Sequence, residues 1–271
     1  MRRNLALIKM GGSVVTFKNR PLSANYPAIN GIAKALSSLK EIPIILVHGG
    51  GSFGHYWSVR YGMHTRPGGY DIHGISIVHE SMVALNQIII NSMIKNGLNP
   101  YSVCAMSLTS HKIPLKVKIN QLNTMARTGI IPVTFGDVIH ISDGKYSILS
   151  GDVIMTMLAK ALNPSKVIFT VNTEGIYKDI EDEELIHEVT STEIRDARLF
   201  RITRAKASAD ITGGMGRKVE EALKISSKGT PVMIVNGLKP ERVTQAVRHG
   251  PEDFKGTVIT ARQRRSSGQT K

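Results

Sequence analysis

Residues 42–55 read Ile42-Pro43-Ile44-Ile45-Leu46-Val47-His48-Gly49-Gly50-Gly51-Ser52-Phe53-Gly54-His55. An apolar run of strand length stops on three consecutive glycines. A strand with no polar face belongs in a sheet covered on both sides, as parallel sheets are. Three glycines in a row cost conformational entropy and bring no side-chain packing. Such a stretch suits an anion-cradling nest better than a plain turn. It is not a P-loop, because no Gly-Lys-Ser/Thr follows.

The same alternation recurs outward. Residues 5–10 form a short apolar strand ending at Gly11-Gly12. Ile29, Ile32, Ala33, Leu36 and Leu39 keep a helical stripe before the strand at 43–47. Ile75, Val78, Met82, Leu85 and Ile89 mark a long helix stopping near Gly97. A strand at 101–106, a helix around 120–126 and a strand at 130–135 follow. Segments 138–141 and 146–149 flank Asp143-Gly144, a hairpin signal. A helix starts after Ser150-Gly151-Asp152 and runs to Leu162, then a strand at 166–171 and a polar excursion at 176–188. Loop then helix at 213–226, a strand at 231–235, a helix at 239–248 and a strand at 257–260 complete the pattern. This predicts an α/β fold, a three-layer αβα sandwich around a mostly parallel open sheet. One domain is expected over 1–261, with lobes of about 1–160 and 161–261, and a disordered basic tail at 262–271.

Composition narrows the class. The 271 residues are 41% hydrophobic, too apolar for disorder, and no apolar run approaches the roughly 18 residues of a membrane span. No signal-type segment follows Arg2 and Arg3, so a cytosolic protein is expected. The one cysteine, Cys104, excludes a disulfide framework or a Cys-rich zinc site, and is expected as an inert buried thiol. Lys and Arg number 35 against 21 Asp and Glu, a net charge of +14 that can attract phosphorylated metabolites or nucleic acid. Part of it clusters at Arg195, Arg198, Arg201, Arg204 and Lys206. Aromatics are only 5% and Trp57 is the sole tryptophan, which disfavours a nucleic-acid platform.

In such sheets ligands sit beyond the carboxyl ends of strands. The first exit is Lys9-Met10-Gly11-Gly12-Ser13, where glycines admit an anion and Lys9, at a strand end, needs an anionic partner. The second is the glycine triplet, with His55 able to donate to a phosphate oxygen and His48 placed to brace the loop. The third is Gly151-Asp152, where Asp152 either caps the helix or orients a lysine. The fourth is Gly213-Gly214-Met215-Gly216-Arg217-Lys218, with Lys218 one turn inside a helix. Together, without a Walker sequence, they suggest phosphoryl transfer on a non-P-loop scaffold.

Across residues 5–260 these motifs resemble the amino acid kinase superfamily. Gly49-Gly50-Gly51-Ser52-Phe53-Gly54-His55 is similar to its archaeal isopentenyl phosphate kinase branch, with Lys18 nine residues after Lys9 as that branch expects. The resemblance implies a kinase making isopentenyl diphosphate from isopentenyl phosphate, for isoprenoid synthesis by an alternative mevalonate route. A related kinase acting on another small phosphate or a phosphonate such as fosfomycin is the alternative. It implies that Lys9 and Lys218 hold the ATP phosphates, with Gly213 beside them, and that Lys18 stabilises the transferring group. Gly50, His55 and Gly151 bind the acceptor phosphate, Gly11, Gly12, Ser13 and Gly51 line the γ-phosphate path, and Asp152 organises the lysines. Mg²⁺ arrives with ATP rather than in a protein metal site, and the enzyme is a homodimer without nucleic-acid or membrane partners. Asn172 stands where the superfamily often has a carboxylate. Met82, Val83, Leu85, Asn86 and Ile89 lie on the helix expected to wall the prenyl pocket, most of them as core.

Overall fold

The computed structural model describes residues 3–109, 114–177, 184–190 and 214–261. The expected tail at 262–271, the arginine cluster at 195–206 and Gly213 lie outside the described residues.

β1 (Arg3–Met10) runs straight into a single helical turn, α1 (Gly12–Val15). α2 (Tyr26–Ser37), β2 (Ile44–His48), α3 (Gly51–Arg60) and the long α4 (Ile72–Lys95) follow. Next come β3 (Pro100–Val103), α5 (Ala105–Thr109), α6 (Leu115–Arg127) and β4 (Ile131–Phe135). The hairpin of β5 (Asp137–Ser142) and β6 (Lys145–Leu149) precedes α7 (Gly151–Leu162) and β7 (Pro164–Val171). β8 (Ile176–Tyr177) pairs with β9 (Leu185–Ile186), and β10 (Glu188–Thr190) follows. α8 (Gly214–Ser226), β11 (Val232–Asn236), α9 (Pro240–His249) and β12 (Thr257–Thr260) complete the order.

Eight strands form one sheet in the order β10-β12-β11-β7-β1-β2-β4-β3. Its described pairs are parallel except β11 with β12. Strand alternation sends side chains to two cores. Ala6, Ile8 and Met10 meet the apolar stripes of α2, α4 and α9, whereas Leu5 and Leu7 meet α6, α7 and α8. Helices thus cover both faces, and the three-layer sandwich read from the sequence is the fold. The Asp143-Gly144 turn has positive φ at both residues (45° and 72°), the backbone that right-twisted hairpins favour.

Three segments differ from expectation. The strand expected to reach residue 106 ends at Val103, because Ala105 and Leu108 are buried while Met106 and Ser107 face out, a helical period. Cys104, expected buried, is exposed between the edge strand β3 and α5. The glycine stretch expected as loop becomes helix at Gly51, and the polar excursion at 176–188 carries the β8–β9 ribbon. No helix among the described residues is long and apolar enough to cross a membrane.

β1 has β2 on one side and β7 on the other, both parallel to it. The chain moves outward from β1 in both directions, so the carboxyl ends of these strands form the topological switch point.

Candidate active site

Lys9 sits inside β1, paired in register with Val47 and Phe169, and is only 3% exposed. Its Nζ lies 3.0 Å from Asp152 Oδ1, a buried ion pair. Ser150, not Asp152, caps α7, its Oγ accepting the Val153 N–H at 3.3 Å. Asp152 is thereby available to Lys9. Burial alone would raise its pKa, but the charges of Lys9, Lys218 and Arg217 outweigh burial and hold it below the usual carboxylate range.

The two glycine loops interlock. Gly11 N–H donates to Thr170 Oγ1 at 3.0 Å, tying β1 to β7. A Cβ on Gly12 would stand 2.4 Å from Gly51 N. Gly51 has φ +48°, and its Cβ would lie 2.0 Å from Thr16 Oγ1. That hydroxyl accepts from Ser52 N–H at 2.9 Å and donates to Gly12 O at 2.8 Å.

His48 is fully buried and stacks on Phe135, with ring centroids 5.1 Å apart. Nε2 lies 3.2 Å from Asn86 Oδ1 and Nδ1 3.2 Å from Gly49 O. Burial lowers its pKa to about 4, so the ring is neutral and its one N–H satisfies one of these carbonyls at a time. His48 braces the loop, as read from the sequence.

These strand exits open into one cavity of about 660 Å³. Lys9, Gly12, Ser13, Lys18, Gly50, Gly51, His55, Gly151, Asp152 and Lys218 all line it. Gly11 does not, being packed against Thr170 behind the wall, and Gly213 lies outside the described residues. Of the α4 residues singled out, Met82 reaches the cavity and Val78 joins it. Leu85 and Ile89 are core, Val83 faces out at 42% exposure, and Asn86 donates to Ser102 Oγ at 2.8 Å. Ile148 and Leu149 from β6 line the cavity as well.

Sequence reading missed Arg217 and Asp137, both on the cavity wall. Arg217 stands next to Lys218 and could have been taken with it. Asp137 follows Gly136 at the exit of β4, the same Gly-Asp pattern as Gly151-Asp152. It is 2% exposed, and burial raises its pKa to about 6 despite an opposing His79.

His48 and Asp137 titrate with opposite sign. His48, with a lowered folded pKa, contributes stability present above about 6.5 and lost as pH falls towards about 4. Asp137, with a raised folded pKa, contributes stability present below about 3.8 and lost as pH rises through about 6. The two oppose each other between about pH 4 and 6. Asp137→Asn removes one side. Wild type is expected to gain about 1.4 kcal/mol per pH unit on that variant as pH falls across this window, read by denaturant unfolding.

The amino acid kinase family model matches residues 4–236. The chain belongs to the amino acid kinase family. The isopentenyl phosphate kinase of Thermoplasma acidophilum is 34% identical over 94% of this chain and 100% of its own length. That of Methanocaldococcus jannaschii is 26% identical over 90% of this chain and 95% of its own. A crystal structure of the Thermoplasma acidophilum kinase as a product complex superposes with a TM-score of 0.74 at 31% identity. It covers 94% of this chain and 99% of that one. Full-length similarity at this level puts this family member in the same branch as those kinases. The matched span contains all four strand exits around the cavity.

Proposed function

We propose that the protein transfers the γ-phosphoryl group of ATP to isopentenyl phosphate, giving isopentenyl diphosphate and ADP. The observation that carries this reading is the composition of one cavity. Lys9, Lys18, Lys218 and the glycine loops line it for phosphates, and Val78, Met82 and Ile148 line it for a short apolar chain.

The chemistry needs no base. An alkyl phosphate is largely a dianion above its second pKa of about 6, so its oxygen attacks the γ-phosphorus directly. The bond from that phosphorus to the β–γ bridging oxygen breaks, and ADP leaves with the electron pair. Two anions must approach, so catalysis is positioning and positive charge. In this reading Lys9 and Lys218 hold the donor phosphates, Lys18 meets the transferring group, and Asp152 orients the lysines. Gly50, His55 and Gly151 hold the acceptor phosphate. Gly12, Ser13 and Gly51 line the path between, with Gly11 behind them and Gly213 on the nucleotide side. Residues up to about 160 supply the acceptor side, and those from about 161 to 261 the nucleotide side.

Among the described residues no group of three or more His, Cys, Asp or Glu could hold a metal ion, and Asp152 is engaged by Lys9. These side chains do not make a Mg²⁺ site. The proposed place of that ion is on the nucleotide's phosphates, and no step here runs through it. A homodimer in the cytoplasm completes the proposal, with sedimentation velocity as the test of assembly.

The direct test mixes purified protein with ATP and isopentenyl phosphate, follows ADP release and identifies isopentenyl diphosphate by mass. No turnover with isopentenyl phosphate, but turnover with fosfomycin, would transfer the reading to the phosphonate acceptor. His55→Ala is expected to raise KM for isopentenyl phosphate strongly and leave that for ATP nearly unchanged, because in this reading the lost N–H serves the acceptor phosphate and not the nucleotide. His55→Gln keeps a donor and loses less. Equal loss for both substrates would instead mean a collapsed glycine loop.

A further inference from the structure

Asp137 lines the cavity read above as holding phosphates, with its carboxylate buried just behind the wall. Asp152 lines it as well, but Lys9 answers it from inside the cavity. Asp137 is answered from behind. Its Oδ2 accepts from His79 Nδ1 at 2.6 Å, and its Oδ1 accepts from the Val138 N–H at 2.8 Å. The two side chains differ in setting: that of Asp137 is 1% exposed, that of His79 47%. His79 does not line the cavity, yet its neighbour Val78 on α4 does. The bond therefore joins the helix that walls the cavity to the strand that leaves β4.

We propose that His79 is a positioning residue acting through Asp137, offsetting the charge of a carboxylate that would otherwise repel the acceptor phosphate. The proposal rests on the cavity's acceptor being a phosphate, as read above. A carboxylate buried behind the cavity wall opposes a phosphate held in that cavity, since two anions brought close raise each other's free energy. A hydrogen bond from His79, charge-assisted when the ring is protonated, draws that charge away from the cavity.

The surroundings leave His79 as the group suited to this task. On α4 the other titratable side chains are His73, Glu80 and Lys95, and α5 carries none. The hairpin carries His140, Asp143, Lys145 and Tyr146, and Asp137 pairs in register with Leu149 at its opposite end. Across the cavity stand Lys9, Lys18, His55, Tyr56, Arg60, Asp152, Arg217 and Lys218. Burial already holds Asp137 near a pKa of about 6, with His79 the charge that opposes the rise. Without His79 the carboxylate protonates more readily, and acid should then remove its repulsion.

The experiment measures binding of isopentenyl phosphate, with inorganic phosphate as a second probe, by calorimetry from pH 5 to 8. Wild type, His79→Ala, Asp137→Asn and the double variant are compared, with melting temperatures recorded for each. His79→Ala is expected to weaken phosphate binding about tenfold at pH 8, a penalty that shrinks below about pH 6, while ATP binding barely changes. The double variant should return to within about threefold of wild type, because the charge in need of an offset is gone. Asp137→Asn alone keeps an acceptor for His79 and should bind phosphate up to about threefold more tightly, which serves if His79→Ala fails to fold. The acceptor titrates near pH 6 itself, so the ratio of variant to wild type is read. A double variant as weak as His79→Ala, a penalty independent of pH, or an equal loss of ATP binding would overturn the proposal and leave a structural joint. If both phosphates bind wild type but ADP is never released with isopentenyl phosphate, the kinase reading fails while these ratios still decide the role of His79. If neither phosphate binds wild type, both fall.

Discussion

Lys18→Met is expected to lower kcat roughly a hundredfold or more and to leave the KM of both substrates near wild type. Lys18 lies on an exposed stretch, 17–20, just beyond α1, and lines the cavity with Asn19. A bend holds it there, with Phe17 N–H donating to Ser23 O at 2.9 Å and Arg20 N–H to Phe17 O at 3.3 Å. In the proposed transfer its ammonium acts when charge is shared between donor and acceptor oxygens. An interaction made mainly in the transition state lowers kcat and kcat/KM together. Met keeps most of the apolar stem and removes only the charge. Steady-state kinetics on the folded variant is the measurement. A kcat within about threefold of wild type, a barrier change of about 0.7 kcal/mol, would make Lys18 a bystander.

Asp152→Ala is expected to damage both fold and chemistry. Lys9 is 3% exposed, and removing its partner leaves a buried charge uncompensated, a cost of about 3–5 kcal/mol of stability. Denaturant unfolding would show it as a lower midpoint with an unchanged slope. Asp152→Asn preserves shape and loses the charge, so it should fold better than Ala yet still misplace Lys9 and lose most of kcat. The sign of the pH effect follows from the lowered carboxyl pKa. The pair is intact above the ordinary carboxylate range and is lost only as pH falls through the folded value, below about 3.8. Activity at neutral pH in Asp152→Ala within a few fold of wild type would remove Asp152 from any role in holding Lys9.

Much of this is legible in the sequence because strand exits advertise themselves. Apolar runs ending in glycine, with a lysine or histidine at hand, need a reason, and at Lys9, Gly50, His55 and Gly151 the shared cavity supplies a common one. What escaped was long-range or masked by composition. Glycine at 51 and 54 hid the helix α3, since intrinsic propensity argues against it while packing of its buried face, Phe53 included, imposes it. The switch from β3 to α5 occurs within a few residues, too few for a period to register. The pairing of His79 with Asp137 spans 58 residues, and nothing local marks it. Gly11 looked like lining by its place in the motif, yet the register of β1 against β7 turns it towards Thr170.

The interlock of Gly12 and Gly51 bears on how such a protein can change over generations. A methyl group on Gly12 would fall on Gly51 N, and one on Gly51 would fall 2.6 Å from Gly12 O. Neither mutation prepares the ground for the other, so no single-step route leads away from this pair without passing through a damaged protein. The phosphate end is an evolutionary dead end in the useful sense: variation there is culled at once. Val78 on α4, and Ile148 on a hairpin outside the main sheet, have no place in that backbone interlock. On the proposed assignment, heritable novelty is channelled to the apolar end, where a lineage can sample acceptors of new shape while the machinery that moves the phosphoryl group is inherited intact.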